Sequence, residues 1–319
     1  MIEIDKCPIC GRSELKTLKR PRFYNPEAEN GSGKGVKTPY QRERLQVFFD
    51  HIWKSGNEAE LRIDLCRSCG FVFINPRFTE EEIRTKYRVL EESIFEGKPN
   101  RKGVRPWWRE RASRIHGLIS GLSDKPVKYC RILDYGGAEG YNLVPFVRDN
   151  SCFVLDYIRH DTPGGIVYLG SDLDDLDADD RFDVVLLCHT LEHVVDPMGM
   201  ITDLSSYLAE GGLIYIEVPL GVSYEWRGLR EPLTHINFFS EESSYNCIRM
   251  AGLDAVHLST EYQWSPAGKS WCINMVGSRG KSGSAETLRH KSTRRQMRGL
   301  RYYYPLLEKK ALGIIGKDE

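Results

Sequence analysis

A buried strand that runs directly into a glycine-rich turn is the feature that most restricts the fold of this chain. The strand covers residues 131–134, the turn reads Tyr-Gly-Gly-Ala-Glu-Gly over residues 135–140, and a helix is predicted from about Tyr141. A strand, a tight glycine turn and a helix N-terminus form a nucleotide-binding site in doubly wound α/β folds. The candidate binding residues of this turn are Asp134, Gly136, Gly137 and Gly140.

The composition of the turn indicates which kind of nucleoside it binds. A dinucleotide fingerprint requires glycine at positions 136, 138 and 141, but this chain has Ala138 and Tyr141 there. The acid Asp134 at the end of the strand suits a cationic ligand without phosphate, because a carboxylate accepts hydrogen bonds from an ammonium group. The turn therefore disfavours a nicotinamide dehydrogenase.

Further polar residues follow the next strands of the predicted sheet. Asp156 ends the second strand, where an acid can accept from both hydroxyls of a ribose. A third strand at 166–169 leads to Asp172 and Leu173, which we expect to contact the amino group and the ring of an adenine. The fourth strand, at 181–188, runs into His189, which we include among the cofactor-binding residues.

The alternation of strands and helices continues beyond this edge of the sheet. A helix at 198–209 is predicted to end at the glycine C-cap Glu210-Gly211-Gly212, before a fifth strand at 213–219. Two final strands, at 253–259 and 271–277, are expected to be antiparallel. The pattern over residues 130–278 predicts an α/β fold with a doubly wound sheet.

Two Cys-x-x-Cys pairs, each followed by glycine, predict a metal site near the start of the chain. Two residues between the thiols let both sulfurs reach one tetrahedral zinc ion, and the absence of histidine from both pairs indicates a structural site. With short strands at 45–49, 61–65 and 71–76, residues 1–78 are predicted to form a zinc ribbon with a long inserted loop. The alternative is two unrelated pairs or a redox pair. The four predicted ligands are Cys7, Cys10, Cys66 and Cys69.

Residues 79–129 are predicted to connect the two parts of the chain. Thr79 followed by three glutamates is an N-cap with acids in the first turn, so a helix should run from there to about Leu90. A basic segment at 101–114 should form a second helix that covers the cleft of the next domain. An amphipathic helix that only packs is an equal alternative to a ligand role for its arginines.

Several motifs together resemble those of a known enzyme family. They are the loop from Asp134 to Gly140, Asp156, the Phe182-Asp183 strand with Leu191-Glu192-His193, and Glu210-Gly211-Gly212. On these motifs residues 130–277 resemble a class I S-adenosylmethionine-dependent methyltransferase. The resemblance implies a seven-stranded, Rossmann-like sheet that binds S-adenosylmethionine at the carboxyl ends of its strands.

The segment CRSCGFVFINPRFTEEEIRTKY, residues 66–87, carries a second resemblance. It is similar to the zinc-ribbon leader of bacterial methyltransferases associated with surface polysaccharide or sugar modification. The acceptor implied is a saccharide or a nucleotide-sugar. Related sugar C-methyltransferases carry a Glu-His pair here and a further α/β domain, whereas this chain has Thr234 before His235. These differences favour O-methylation, with N-methylation as the alternative.

The acceptor side of the site is less well defined by the sequence. His193 and His235 both follow strands on the cleft side and are the candidate general bases, although a structural role for His193 is the alternative. The insert 224–230, with Trp226, Arg227 and two further cationic or aromatic residues, could form a platform for an anionic sugar or an ordinary surface loop.

Charge and hydropathy restrict the partners and the location of the chain. The 45 basic and 45 acidic residues give no net charge, which argues against a general nucleic-acid binder. The tail 279–319 is locally basic, so it either contacts a membrane surface or a lipid-linked saccharide, or forms a solvated helix. No stretch reaches the ~18 apolar residues of a membrane span, and the start does not resemble a signal peptide, which predicts a cytoplasmic protein.

Two other functions remain as alternatives at this point. An RNA methyltransferase could use the zinc ribbon to hold RNA, against which the neutral charge speaks. A zinc-ribbon adaptor could retain the methyltransferase fold only to bind or sense the cofactor. The acids at 134 and 156 favour a working site over this second alternative.

Overall fold

A computed structural model of the chain describes residues 1–28, 36–95, 106–223, 225–265, 268–280 and 291–298. The described α-helices are α1 (Pro39–Val47), α2 (Glu80–Phe95), α3 (Pro106–Leu122), α4 (Pro197–Ser206), α5 (Glu241–Met250) and α6 (Thr293–Arg298). The described strands are β1 (Leu15–Lys19), β2 (Arg22–Tyr24), β3 (Glu58–Glu60), β4 (Arg62–Cys66), β5 (Val72–Asn75), β6 (Arg131–Tyr135), β7 (Ser151–Leu155), β8 (Ile166–Gly170), β9 (Phe182–Cys188), β10 (Leu208–Pro219), β11 (Asn237–Phe238), β12 (Asp254–Ser265) and β13 (Gly268–Ser278).

A seven-stranded sheet forms the centre of the larger part of the chain, in the order β12-β13-β10-β9-β6-β7-β8. The five strands from β10 to β8 are parallel, and β13 and β12 add to them in antiparallel orientation. Strand β9 is buried at every position except Asp183, as expected of a parallel strand with both faces covered. The predicted Rossmann-like α/β fold, with its antiparallel final strands, is confirmed.

The helix predicted from Tyr141 is wrong. After the glycine turn the chain forms only a 3₁₀ turn, Tyr141–Leu143, followed by further turns. Pro145 gives the physical reason, because proline has no amide to donate to the carbonyl of Tyr141, as the first turn of an α-helix would require.

The predicted end of the fourth helix is also wrong. Helix α4 ends at Ser206, and strand β10 already begins at Leu208, which pairs with Phe182 of β9. The backbone amide of Phe182 donates to the carbonyl of Tyr207, so pairing with the neighbouring strand replaces the last helical turn. Gly211, at φ +73°, belongs to an irregularity inside β10 and is not a helix C-cap.

The amino-terminal part contains a four-stranded sheet in the order β1-β4-β5-β11. Strands β4 and β5 confirm the predictions for 61–65 and 71–76, but residues 45–49 are helical. Helix α1 begins at the N-cap Thr38 with Pro39 at its first position, and it continues into a π-helical turn, Phe48–Ile52. That N-cap with a following proline is a standard helix start, which the apolar run at 45–49 obscured.

This sheet joins the two parts of the chain, because its last strand, β11, lies at residues 237–238, far along the sequence. The buried guanidinium of Arg77, just after β5, donates to Asn237 Oδ1 at 2.7 Å and to the carbonyls of Ile236, Val194 and Val195. The predicted zinc-ribbon module is therefore built into the same body as the Rossmann-like sheet, on the side of the loop that follows β9.

Helices α2 and α3 lie in the predicted connector, and both extend further than expected, α2 to Phe95 and α3 to Leu122. Thr79 and Glu82 form a capping box, in which Thr79 Oγ1 accepts from the Glu82 amide at 3.2 Å and Glu82 Oε2 accepts from the Thr79 amide at 2.8 Å.

Among the described residues, none of the helices combines the length and the apolar character that crossing a membrane requires.

Candidate active site

A cavity of about 480 Å³ opens at the carboxyl ends of the parallel strands. Its walls come from the turn after β6, the ends of β7, β8 and β9, the start of α4 and one face of α2. The lining includes six residues singled out from the sequence, Gly136, Asp156, Asp172, Leu173, His189 and His193. The prediction placed the site at this edge of the sheet, and the cavity lies there.

The glycine turn approaches its neighbours so closely that side chains would not fit. A Cβ at Gly136, whose φ is +69°, would lie 2.6 Å from Thr190 Oγ1. A Cβ at Gly137 would lie 2.6 Å from the carboxyl carbon of Asp134. Gly140, at φ +77°, packs against Val154 behind the turn. Gly136 therefore faces the cavity, while Gly137 and Gly140 shape the turn from behind.

Asp134 lies beneath this turn and is completely buried. Its Oδ2 accepts from Asn142 Nδ2 at 3.0 Å, and its Oδ1 has no hydrogen-bond partner among the described residues. Burial raises the pKa of Asp134 to about 7, against the opposing effect of the Asn142 hydrogen bond. An unsatisfied buried carboxylate oxygen is costly, so it marks a position where a ligand donor would be stabilised.

Asp156 holds the turn from the side of the cavity. Its Oδ2 accepts from the amide of Ala138 at 2.8 Å, and its Oδ1 accepts from the amide of Ile158 at 3.0 Å. Ala138 has φ +48°, a left-handed conformation that favours glycine, and the bond to Asp156 stabilises it there. Each oxygen keeps a second lone pair, so the carboxylate can still accept from ligand hydroxyls.

Asp172 and Leu173 form the next wall, together with helix α2. Asp172 Oδ1 accepts from the Leu173 amide at 2.8 Å, and Asp172 Oδ2 pairs with Arg84 of α2 at 2.6 Å. The sequence analysis missed this wall. Four α2 residues on one helical face line the cavity, namely Glu80, Ile83, Arg84 and Tyr87. Their helical spacing was the signal available in the sequence.

His189 lies between two carboxylates. Its Nδ1 is 3.1 Å from Glu192 Oε1 and its Nε2 is 2.9 Å from Glu217 Oε1. Burial opposes the charge, but the side chains of Cys272, Glu192 and Glu217 raise the pKa of His189 well above its ordinary value. His189 lines the cavity as predicted, and it does so as an imidazolium with both nitrogens engaged.

Glu217, one of the two carboxylates that contact His189, also anchors α3. Glu217 is buried and binds Arg111 Nε at 2.8 Å and a nitrogen of Arg114 at 2.6 Å, both on α3. The hydroxyl of Tyr215 donates to the second Glu217 oxygen at 2.7 Å. Arg111 and Arg114 therefore hold the helix on the sheet, and for these two arginines the alternative of a packing helix describes the contacts better than direct ligand binding.

The two candidate bases lie side by side. The rings of His193 and His235 are 4.9 Å apart, and His193 lines the cavity. His193 Nδ1 bonds to the carbonyl of Thr234, while His235 Nδ1 bonds to Glu225 Oε2 at 2.9 Å. The sequence analysis missed Glu225, because a partner ten residues away in an irregular loop leaves no periodic signal.

These partners give the two imidazoles different charges. Burial, and then the charge of His235, lower the pKa of His193 well below its ordinary value. Burial acts the same way on His235, but the Glu225 carboxylate raises the pKa of His235 above its ordinary value. His193 is therefore neutral near neutral pH, and its Nε2 carries a lone pair.

In the insert 224–230, predicted as either a sugar platform or an ordinary surface loop, the described side chains bond largely within the loop. Trp226 is buried, and its Nε1 donates to the carbonyl of Val222 at 3.0 Å. Arg227 donates to the carbonyl of Ser223 at 2.7 Å. Trp226 is thus not available as an exposed aromatic surface, whereas Arg227 is exposed, with its guanidinium 4.8 Å from the centre of the Trp226 ring. Tyr224 lies outside the described residues.

The four predicted zinc ligands converge on one point. Cys7 Sγ lies 3.6 Å from Cys69 Sγ, Cys10 Sγ lies 3.5 Å from Cys66 Sγ, and all four sulfurs are within 4.8 Å of one another. Four sulfurs at about 2.3 Å around zinc lie about 3.8 Å apart, so this cage fits that ion. The Cys66 sulfur raises the pKa of the Cys69 thiol, a repulsion that a bound cation would offset.

The described part of the basic tail packs against this cage and is not a solvated helix. Thr293 is buried, and its Oγ1 donates to the carbonyl of Gly70 at 2.8 Å. Lys291 Nζ pairs with Glu241 Oε1 at 3.0 Å. The predicted membrane or lipid-linked contacts concern residues 281–290 and 299–319, which lie outside the described residues.

Comparison with known proteins identifies a domain in the central part of the chain. Residues 107–258, just under half of the chain, match the family model described as "Methyltransferase domain". These residues form a methyltransferase domain. Ubiquinone biosynthesis O-methyltransferases of Cereibacter sphaeroides are 30% identical over 118 residues, which cover 31% of this chain and 47% of theirs. The chain thus spans about half the length of the curated relatives it matches.

Solved structures of low sequence identity are also similar. The N-methyltransferase NodS of Bradyrhizobium japonicum, solved with S-adenosylhomocysteine, is 16% identical, with a TM-score of 0.45 over 60% of this chain and 97% of that chain. A Burkholderia thailandensis 1,6-didemethyltoxoflavin-N1-methyltransferase is 13% identical, with a TM-score of 0.48 over 67% of this chain and 96% of that chain.

The methyltransferase domain fits S-adenosylmethionine, the methyl donor that its family implies. Gly136 lines the cavity, and a Cβ there would clash with Thr190, whereas Asp134 lies under the turn beside Gly137 and outside the cavity lining. Asp156 faces the cavity with free lone pairs for hydroxyls. Leu173 supplies an apolar surface beside Asp172. Asp156 and Asp172 thus give the cavity carboxylate acceptors, which suit the hydroxyl and amino groups of a nucleoside.

Proposed function

We propose that this chain is an S-adenosylmethionine-dependent methyltransferase that methylates a hydroxyl oxygen of a saccharide or nucleotide-sugar. The observation that carries the proposal is the cavity itself. One wall carries the acids Asp156 and Asp172, and the same cavity is lined by His193, whose Nε2 is free to accept a proton. Bound S-adenosylmethionine would supply an electrophilic methyl group, which is carried on its sulfur. The methyl group would leave the sulfur and form the new O–CH₃ bond with the acceptor.

The residues of the chain divide the work of binding and proton transfer. Asp156 would bind the ribose hydroxyls and Leu173 the adenine. His193 is the better general base of the two histidines, because its lowered pKa keeps it neutral. The carbonyl of Thr234 fixes its tautomer, since a carbonyl can only accept and the proton must lie on Nδ1. Nε2 then carries the lone pair that an acceptor hydroxyl needs.

Two observations support oxygen and a saccharide as the acceptor. The curated relatives from Cereibacter sphaeroides are named as O-methyltransferases. The zinc-ribbon leader at 66–87 is similar to that of methyltransferases of surface polysaccharide and sugar modification.

We also infer that Cys7, Cys10, Cys66 and Cys69 hold a structural zinc ion. The cage offers four sulfurs at tetrahedral spacing and no open ligand position. Because β5 continues from the second cysteine pair toward Arg77, the ion would stabilise the strand that anchors the acceptor side of the cavity.

The test combines cofactor binding with an acceptor screen. Titration calorimetry with S-adenosylhomocysteine should show one site. Incubation of the protein with methyl-labelled S-adenosylmethionine and a panel of nucleotide-sugars, oligosaccharides and RNA should transfer label to a sugar. His193→Asn should retain cofactor affinity and lose at least about tenfold in turnover, whereas the matched control His257→Asn, a half-buried histidine on β12, should retain both.

Other results would lead to different conclusions. Label transferred to RNA alone would replace the saccharide proposal with the RNA alternative. Cofactor binding without transfer to any member of the panel, also with His193 intact, would favour the non-catalytic adaptor. No heat with S-adenosylhomocysteine would remove the proposal altogether.

A further inference from the structure

We propose that Glu192, His193 and His235 form a binding site for a divalent first-row transition-metal ion beside the cavity. The site is separate from the four-cysteine cage, and its existence does not depend on the proposed function. Its chemical role, which is to bind an acceptor through adjacent hydroxyl groups, does rest on that function.

The two histidines are oriented as metal ligands are. His193 Nδ1 faces the carbonyl of Thr234, and His235 Nδ1 faces the carboxylate of Glu225. Both partners are acceptors, so both imidazoles keep a proton on Nδ1 and turn Nε2 away from that partner. Nε2 of neutral His193 carries a lone pair, and a metal ion would have to displace the proton from Nε2 of His235. Metal-bound histidines almost always donate their other nitrogen to a carboxylate or a carbonyl in this way.

Glu192 provides an independent reason to expect a cation. Its side chain is 1% exposed, and only one of its oxygens is satisfied, by His189 Nδ1 at 3.1 Å. The other oxygen, Oε2, is buried and has no hydrogen-bond partner among the described residues. Buried carboxylate oxygens without a partner are rare, because each costs free energy, and a bound ion would satisfy this one.

The spacing of the three groups is close to that of a coordination sphere. One ligand atom from each residue lies within 4.8 Å of the others, and His193 Nε2 is 3.8 Å from Glu192 Oε1. Ligands at about 2.1 Å around one ion lie about 3.0–3.4 Å apart. Shifts of about 1 Å would close the set around an ion. Two imidazoles and one carboxylate suit Mn²⁺, Fe²⁺, Co²⁺ or Zn²⁺ better than Mg²⁺ or Ca²⁺.

A second cluster shows what a group without free ligands looks like. His189, Glu217 and Cys272 lie equally close together. Both nitrogens of His189 are engaged by carboxylates, and both oxygens of Glu217 accept from Arg111, Arg114 or Tyr215. The cations of this cluster already neutralise Glu217, so neither His189 nor Glu217 offers a free ligand atom to a metal ion. The difference between the two clusters is chemical and not a matter of distance.

The position of the site gives the ion a function. His193 lines the cavity, so the remaining coordination positions can face an acceptor. An ion there would lower the pKa of a bound acceptor hydroxyl. Because His193 Nε2 would then be a ligand and could not act as the base, the O–H bond would break with its proton passing to water. The resulting oxygen attacks the methyl carbon of the sulfonium, the C–S bond breaks, and its electron pair stays on sulfur. Two adjacent hydroxyls could chelate the ion, so we expect a diol acceptor.

Mn²⁺ is the probe that tests this site, because thiolate cages do not prefer it. The zinc-loaded full chain should bind one Mn²⁺ ion, measured by loss of the free-ion signal in electron paramagnetic resonance. Glu192→Gln and His235→Asn should weaken this binding at least about tenfold, and Glu225→Gln, which acts through His235, should weaken it about 10- to 100-fold. His257→Asn should bind Mn²⁺ like the parent protein.

Each outcome separates this inference from the proposed function. Absence of Mn²⁺ binding, or equal binding by all variants, overturns the metal site, and the methyltransferase proposal stands if S-adenosylhomocysteine still binds and transfer survives a chelator. Mn²⁺ binding without cofactor binding supports the site and removes its catalytic role. If Glu192→Gln does not fold, as judged by circular dichroism, the more exposed His235→Asn and Glu225→Gln decide the question.

Discussion

At the scale of single residues, three neighbouring histidines differ in charge because their partners differ. His189 contacts two carboxylates, His235 contacts one, and His193 contacts a carbonyl and lies beside another imidazole. The pKa of His189 is raised well above its ordinary value, and the pKa of His235 is also raised. The pKa of His193 is lowered well below its ordinary value. One sheet edge therefore presents a fixed cation and a neutral lone pair to the same cavity, which suits binding and proton transfer at once.

Replacing Asp156 tests the predicted ribose contact. Asp156→Ala should weaken S-adenosylhomocysteine binding by about 1–3 kcal/mol, or about 5- to 150-fold, because charge-assisted hydrogen bonds are lost and the amide of Ala138 is released. Calorimetry measures the change. Asp161→Ala, an exposed acid on the following loop, is the matched control and should bind normally. An unchanged affinity in Asp156→Ala would refute the ribose assignment.

The buried carboxyl of Asp134 predicts a pH dependence of stability. Its pKa is about 7 in the folded chain and has a reference value of 3.8. The folded state therefore binds this proton more tightly, so the free energy of unfolding falls as pH rises from about 4 to about 7, by at most ~1.4 kcal/mol per pH unit. Asp134→Asn cannot ionise and should lack this contribution.

Urea unfolding of both proteins at about pH 5 and about pH 8 checks this prediction. We compare the free energy of unfolding of Asp134→Asn with that of the parent at each pH. The difference should shift in favour of Asp134→Asn between the lower and the higher pH. Other groups titrate in both proteins and cancel in the comparison. A difference between the two proteins that does not change with pH would show that Asp134 ionises normally.

At the scale of elements, one buried side chain connects the strand after the second cysteine pair with the loop after β9. Arg77 is fully buried, and its guanidinium reaches four acceptors on residues 194–195 and 236–237. Those residues flank His193 and His235. The planar fork of arginine suits this task, because it donates to several oxygens with one rigid group.

Arg77→Lys keeps the charge but removes the fork. We expect a loss of about 2–4 kcal/mol in the free energy of unfolding, since carbonyls of the loop and Asn237 Oδ1 lose their donors in a buried place. Urea unfolding gives the value, and the exposed Arg67→Lys serves as control. Equal stability of the two variants would mean that the loop does not depend on this anchor.

At the scale of the whole molecule, the four-cysteine cage and the methyltransferase domain share structure. Strand β11 completes the sheet of the amino-terminal part, α5 and the described tail segment pack beside the second cysteine pair, and Asn246 donates to the carbonyl of Cys69 at 3.2 Å. Loss of the cage should therefore disturb the structure at the acceptor side of the cavity.

Cys66→Ser tests this coupling. The variant should contain little zinc by elemental analysis, and it should melt at a lower temperature, because a bound structural ion contributes directly to folding. Cys130→Ser, at a partly exposed thiol outside the cage, should keep the zinc content and melting temperature of the parent. A full complement of zinc in Cys66→Ser would contradict a four-thiolate site.

The sequence by itself determined the features that depend on near neighbours. Continuous apolar runs specified the parallel strands, the spacing in each Cys-x-x-Cys pair indicated the cage, and the acids that end β6 and β7 marked the binding edge. Local periodicity and ligand spacing are properties of short segments, so these predictions needed no tertiary information. The helix expected from Tyr141 failed only because Pro145 was overlooked.

The tertiary structure decided everything that joins distant segments. The pairing of β11 with β5, the inward orientation of Trp226, and the contacts of Glu225 with His235 and of Arg111 with Glu217 all connect residues without a shared local pattern. The charge of a buried histidine is likewise set by whichever groups the fold brings beside it. Long-range packing determines which groups lie beside a buried side chain, and the spacing of residues along the chain does not predict them.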